Sequence, residues 1–381
     1  MILPPRRSVC GVRSRAVGLL AGAVLDALFA DPARWHPVAG FGRVAAALER
    51  RWYADSRAAG VAYTAVLVGA TVALAAAAER SVRGRPVAHA MLTALATWTV
   101  LGGTSLTRHG ASLAAELGHP PPRVVLRGRS SGASCLGEWS SVAGRVVHPA
   151  PASRSLWPVE WRTLPRHVVR RGPPRQAEQA GTVDLVAARA RIPALCGRDP
   201  ASLDAGGLAR AGTESMAENT SDAVVAPLLW GAVAGLPGLL GYRAVNTLDA
   251  MVGYRSARYR RFGWAAARLD DVANLVPARV AALLFAVLAP AVGGSPRAAL
   301  AAWRRDAAGH PSPNAGPVEA SAAGALGVGL GGRTVYAHGV EDRPRLGSGP
   351  PPTAADLARA ARLARLVGAA AAVIAAWTRA G

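Results

Sequence analysis

From Ala58 to Ala78 the chain runs without a single charged residue. About twenty mostly apolar residues are what a helix needs to cross the hydrocarbon core of a bilayer, and no other common setting demands so long an uncharged run. Ala223 to Tyr242 is a second such run, although Pro227 and Pro237 interrupt its helical pattern. Shorter or broken apolar segments are Ala16 to Ala30 with Asp26 inside, Pro86 to Gly103 with His89 inside, and Val280 to Gly294. Leu366 to Trp377 reads as a last anchor or an amphipathic surface helix. Hydrophobic residues are 51% of the chain and charged ones 18%, against roughly a quarter in ordinary soluble domains. The expected fold is mainly α: a polytopic integral membrane helical bundle of roughly four to six segments, with polar motif loops.

Three regions follow. Residues 1–117 form an N-terminal membrane region and 182–381 a motif-bearing membrane domain with a C-terminal helix. Between them, 118–181 is rich in Arg, Pro, Ser and Trp without helical period, and reads as a disordered or loosely folded insertion, or as an artefact of the gene's reading. Arg6, Arg7, Arg13 and Arg15 ahead of an apolar stretch resemble a signal peptide. Asp26 inside that stretch and the polar motif right after it argue that it is retained. Arginines flank the first segment on both sides, so they do not orient the bundle.

The net charge is +21, and all 44 basic residues are arginine. Without lysine there is no ordinary P-loop and no lysine Schiff base. Any phosphate must be held by arginine, backbone amides or a metal ion. Ten arginines and two acids fall between His119 and Arg175, and the others sit mainly in loops between apolar runs; this distribution does not describe a nucleic-acid partner. Cys10, Cys135 and Cys196 form no C-x-x-C pair, which argues against a disulfide framework or structural zinc.

Four polar runs carry the chemistry. In RAGTESMAENTSDAVVAPL, Arg210, Glu214, Glu218 and Asp222 recur every four residues, so on a helix they share one face. That stripe leads straight into an apolar segment, where carboxylates are expensive and face a cavity or a partner. Hard oxygen clusters of this kind suit Mg²⁺. The next run, from Gly241 to Gly263, pairs Asn246 with Asp249 and continues into arginines suited either to phosphate or to anionic lipid. A third, Ala266 to Arg279, holds Asp270, Asp271 and Asn274, which offer oxygen ligands or a helix cap. The fourth, Trp303 to Ala320, gathers Asp306, His310, Ser312, Asn314 and Glu319 in a Pro- and Gly-shaped loop. A glycine-rich stretch at Gly324 to Tyr336 is read as close helix packing rather than as a phosphate loop.

Taken together and in this order, the four runs resemble the CobD/CbiB family. Asp31, Pro32, His36 and Pro37 are similar to its N-terminal D-P and H-P-V motif, and Gly197, Arg198 and Asp199 to its G-R-D region. The resemblance covers most of the chain outside Gly118 to Gly181; Cys196 and Pro200 depart from the pattern around G-R-D. It implies a multi-pass protein of the bacterial inner (cytoplasmic) membrane that joins adenosylcobyric acid to aminopropanol or its phosphate. That is ATP- and Mg²⁺-dependent amide ligation in cobalamin biosynthesis, with other enzymes of that pathway as possible partners.

On that reading Glu214, Glu218, Asp222 and His310 are the catalytic candidates, with the base left open between His310 and Glu218. Arg198, Arg210, Asn219, Arg243, Asn246, Asp249 and Asn314 are candidates for substrate or phosphate contacts, and Glu218, Asp222, Asp270 and Asp271 for metal. The rival readings are a polytopic transporter, which Pro227 and Pro237 suit, and a non-catalytic membrane scaffold.

Overall fold

The computed structural model describes residues 6–30, 36–118, 185–336 and 339–378, so Asp31, Pro32 and almost all of the 118–181 stretch lie outside the described residues. The first half holds α1 (Arg6–Phe29), α2 (Pro37–Trp52), α3 (Arg57–Ser81), α4 (Pro86–Val100) and α5 (Gly103–Gly118). The second begins with α6 (Leu185–Arg191), α7 (Ala205–Thr220), α8 (Ala226–Val252), α9 (Tyr259–Phe262) and α10 (Trp264–Ala273). It ends with α11 (Leu275–Leu288), α12 (Pro296–Asp306), α13 (Ala315–Leu326), an antiparallel hairpin of β1 (Leu330–Tyr336) and β2 (Gly339–Leu346), and α14 (Ala354–Trp377).

The protein is a mainly α membrane bundle. Among the described residues four helical stretches are long and apolar enough to cross a membrane: Arg57–Ser81, Ala205–Val252, Leu275–Val292 and Ala354–Trp377. On α3 and α4 large apolar side chains such as Leu74, Val87 and Met91 point outward, as on helices whose outer solvent is lipid. Local chemistry sets the ends. Pro37 and Pro86 open α2 and α4, where a missing N–H costs nothing. Ser56 caps α3, and Thr353 with Asp356 forms a capping box that starts α14 well upstream of the apolar run beginning at Leu366. Gly18 and Gly22 let α1 lie directly on Thr93 and Thr97 of α4, the small-residue packing that membrane helices use in place of hydrophobic burial.

One expected span is corrected. The run Ala223 to Tyr242 is not a straight crossing, because α8 breaks at Gly235 (φ +67°), just before Pro237. The Tyr242 hydroxyl oxygen lies 3.2 Å from the main-chain oxygen of Asp222. Twenty residues of straight helix would separate these groups by about 30 Å. The chain therefore doubles back at Gly235, and the two arms form a helical hairpin. At its tip Gly235 packs on Glu79 and Arg15, whose side chains pair at 2.8 Å. The reversal returns the end of α8 to the level of Asp222, which is what brings distant polar runs together.

Candidate functional site

A cavity of about 320 Å³ opens where the hairpin's two arms meet α10, the loop before α13, and β2. Its wall takes Glu218 and Asp222 from the first polar run, Asp249 and Gly253 from the second, and Arg268, Asp270, Asp271 and Asn274 from the third. The fourth run supplies His310 to Asn314, and the hairpin strand β2 adds Arg343.

Each carboxylate has a local reason for its place. Ser221 to Val225 form a π-turn between α7 and α8, and Asp222 sits within it. Gly253 ends α8, and a Cβ there would run into the Asp249 side chain. Asp270 accepts from Asn274 Nδ2 at 3.0 Å and from Asn246 Nδ2 at 3.4 Å, while Asn274 Oδ1 accepts from the Tyr242 hydroxyl at 2.8 Å. Burial pushes the Asp270 carboxyl up to about 6; the two amide hydrogen bonds pull it down, and Asp271 and Glu218 push it up. Arg268 pairs with Asp271 at 3.1 Å, and Asn314 donates to the Asp271 main-chain oxygen at 2.8 Å, stitching the fourth run to the third.

The stripe expected along one helical face divides in two. Glu218 and Asp222 reach the cavity, whereas Glu214 and Arg210, one and two turns earlier, are covered by β1. Glu214 is buried against Arg198 and accepts from Gly331 N at 2.7 Å. Arg210 donates to Gly331 O at 2.6 Å and Arg333 O at 2.9 Å. Arg198, Arg210 and Glu214 therefore hold the β-hairpin rather than line the cavity. Asn219 turns back onto Ser215 O and Oγ at 3.0 Å. Arg243 is buried and donates to Asn246 Oδ1 at 3.3 Å, so both stand behind the wall, supporting Asp270. His36, from the H-P-V motif, caps α2 on Val38 N; burial, and then the Arg243 charge, depress its imidazole to about 4.

Between the two candidates for the base, exposure discriminates. The His310 side chain is 1% exposed; its Nδ1 accepts from Ser312 N at 3.1 Å, and its Nε2 faces Glu319 Oε1 at 3.9 Å. Glu218 is exposed and opens onto the cavity. Two residues not assigned from sequence also matter here. Glu319 stands directly behind His310; it was visible in the fourth run, but nothing in its spacing marked it as buried. Arg343 had no local signal, because only the β-hairpin carries it to the wall.

Five carboxylates with Asn274 and Asn314 give the cavity a hard oxygen lining. Among the described residues, no three His, Cys, Asp or Glu side chains are gathered closely enough to hold a metal ion by themselves. Such a lining fits Mg²⁺, which binds one or two carboxylates and completes its shell with water and substrate phosphates. Glu218, Asp222, Asp270 and Asp271 are the residues positioned to supply them.

The order of the polar runs and the cavity they build can be compared with known proteins. The model of the family described as CobD/Cbib protein matches residues 19–125 and 164–364. The chain belongs to the CobD/CbiB family. Among its relatives in that family, the cobalamin biosynthesis protein CobD of Mycobacterium tuberculosis (strain ATCC 25618 / H37Rv) is 49% identical over 364 residues, 95% of each chain. The protein of the same name from Stutzerimonas stutzeri (strain A1501) is 39% identical over 338 residues, 89% of each chain. That of Rhodobacter capsulatus is 50% identical over 211 residues, 55% of this chain and 64% of its own. The break in the CobD/CbiB match, between residues 125 and 164, falls inside the Arg/Pro-rich stretch. No solved structure matches this chain.

Proposed function

We propose that this chain is a cobalamin-biosynthesis enzyme of the bacterial inner (cytoplasmic) membrane that joins adenosylcobyric acid to aminopropanol or aminopropanol phosphate by ATP-dependent amide ligation. Family membership and the names of its relatives support the pathway. The observation that carries the reaction type is the convergence of four separate polar runs on one cavity lined by five carboxylates and the arginines Arg255, Arg268 and Arg343.

A carboxylate is a poor acyl donor. ATP with Mg²⁺ would supply the activation, passing its terminal phosphoryl group to the carboxylate with ADP leaving, so that the amine could form the amide as inorganic phosphate departs. The chain's own work is to hold anions and move one proton. Arg255, Arg268 and Arg343 offset phosphate charge at the wall. Glu218, opening onto the cavity, takes a proton from the incoming ammonium so that its nitrogen lone pair is free to attack. Asn246 and Asn274 hold the Asp270 carboxylate in one orientation beside it.

The test is amide formation from adenosylcobyric acid, aminopropanol phosphate and Mg-ATP by the full chain in membranes. Product that disappears in Glu218→Gln supports the ligase; absence of product from the folded native chain rejects it. A transporter is the second reading, favoured by the break at Gly235 inside an apolar helix. Product formed by detergent-solubilised protein, where no compartments exist, separates the two. A scaffold predicts that carboxylate substitutions leave product yield intact.

A further inference from the structure

The hairpin carries Arg343 of β2 to the cavity wall, next to the loop that holds His310. Behind both lies Glu319 of α13, 1% exposed, with neither carboxylate oxygen accepting a hydrogen bond among the described residues. Arg343 Nη1 stands 3.8 Å from Glu319 Oε1, and His310 Nε2 stands 3.9 Å from the same atom. Both separations exceed hydrogen-bond length. They are contacts that orient Arg343 from behind without the close bidentate pairing that would turn its planar edge onto Glu319.

We propose that Arg343 is a phosphate-contact residue of the cavity, and that Glu319 and His310 are the buried positioning residues that hold it there. The inference deepens the ligase reading and rests on it for the identity of the ligand. Three arginines line the cavity, and they are not equivalent. Arg268, which pairs with Asp271, and Arg255 are both exposed to water. Arg343, with its side chain 20% exposed, is the one partly withdrawn from water, where a charge-assisted bond to a phosphate oxygen is strongest. A guanidinium fork fits two phosphate oxygens at once.

The groups facing Glu319 are His310, Arg343, Glu218 and Arg198. Arg198 is already paired with Glu214. Burial, and then the charge of Glu218, push the Glu319 carboxyl up to about 8.

The phosphoryl group has two sources, the nucleotide or the phosphorylated amine. Calorimetric titration of the full chain in detergent with inorganic tripolyphosphate, Mg-ATP, aminopropanol phosphate and free aminopropanol reads both without turnover. Arg343→Gln is expected to weaken a phosphorylated ligand about tenfold or more, as for loss of one charge-assisted bond, leaving free aminopropanol unaffected. Loss confined to tripolyphosphate and Mg-ATP assigns the nucleotide; loss confined to aminopropanol phosphate assigns the amine. Arg343→Lys restores part of the affinity. Glu319→Ala weakens the same ligand, and Glu319→Gln, which keeps the shape and one carbonyl oxygen, restores it.

Unchanged binding of every phosphorylated ligand in folded Arg343→Gln overturns the proposal. So does native protein that binds none of them. A lowered thermal midpoint with equal loss for all four ligands, not relieved by Arg343→Lys, means a structural residue and also overturns it. Arg343-dependent tripolyphosphate binding in a chain that forms no amide rejects the ligase reading while leaving the phosphate contact in place.

Discussion

The Tyr242 hydroxyl donates to Asn274 Oδ1 at 2.8 Å, and Asn274 in turn donates to Asp270 at 3.0 Å. Through this pair the returning arm of the helical hairpin sets the orientation of a carboxylate on a different helix. Tyr242 and Asn274 are both buried, so deleting the hydroxyl leaves the amide oxygen without its partner. Tyr242→Phe is expected to cost about 1–3 kcal/mol. Thermal unfolding in detergent measures it, and a midpoint equal to that of the native chain refutes the coupling.

Gly235 is the tip of the hairpin, with φ +67° and the Arg15–Glu79 pair against its Cα. With ψ at −149° the backbone lies in a region essentially confined to glycine, and an L side chain there costs about 1–3 kcal/mol before any clash. Gly235→Ala also meets the Glu79 carboxylate, so the total loss is expected to exceed that figure. The loss should shrink in Gly235→Ala combined with Glu79→Ala; a double variant no better than the sum of the singles rules out the steric part of the argument.

Glu218 and Arg210 lie on the same stripe but have different duties. Glu218→Gln is expected to lower amide formation roughly 100-fold or more, as for removal of a general base, with little change in thermal midpoint. Arg210→Gln frees the carbonyls of Gly331 and Arg333 and is expected to lower the midpoint first. Equal effects of the two substitutions on rate and on stability would contradict the division of the stripe.

Glu319 predicts a pH dependence of stability. Its carboxyl, ordinarily near 4.5, is raised to about 8 in the folded chain, chiefly by burial. The folded state therefore holds a proton that the unfolded state releases. That contribution to stability is fully present below about 4.5 and is lost as pH rises through about 8. Glu319→Gln cannot ionise. Its thermal midpoint should fall less steeply than the native one between roughly pH 6 and 9. Parallel curves for the two proteins would show that Glu319 does not titrate in that window.

Much of the site was legible because the bilayer imposes a strong filter. Charges beside long apolar runs are costly, so Glu218, Asp222, Asp249 and Asp270 stood out as residues with a reason to be there. Helical spacing, however, treats all members of a stripe alike. It gave no way to see that β1 covers Glu214 and Arg210 while Glu218 and Asp222 reach the cavity. The uncharged run from Ala223 to Tyr242 looked like a crossing because hydropathy records solubility in lipid, not direction of travel. Gly235 and Pro237 were visible as possible breaks, but only the packing on Arg15 and Glu79 makes the break a reversal.

By itself, the sequence determined the solvent of this protein and the kind of chemistry it carries. Long uncharged runs require lipid, the absence of lysine leaves any phosphate to arginine, backbone amides or a metal ion, and the ordered polar motifs resemble those of the family. Tertiary structure decided which of those polar groups meet. Glu218, Asp249, Asp271, Asn314 and Arg343 lie far apart along the chain, and they share one cavity because α8 reverses and the β-hairpin folds over α7. Local propensity is read over a few residues, whereas those contacts are set by long-range packing and by the need to satisfy buried polar groups away from water.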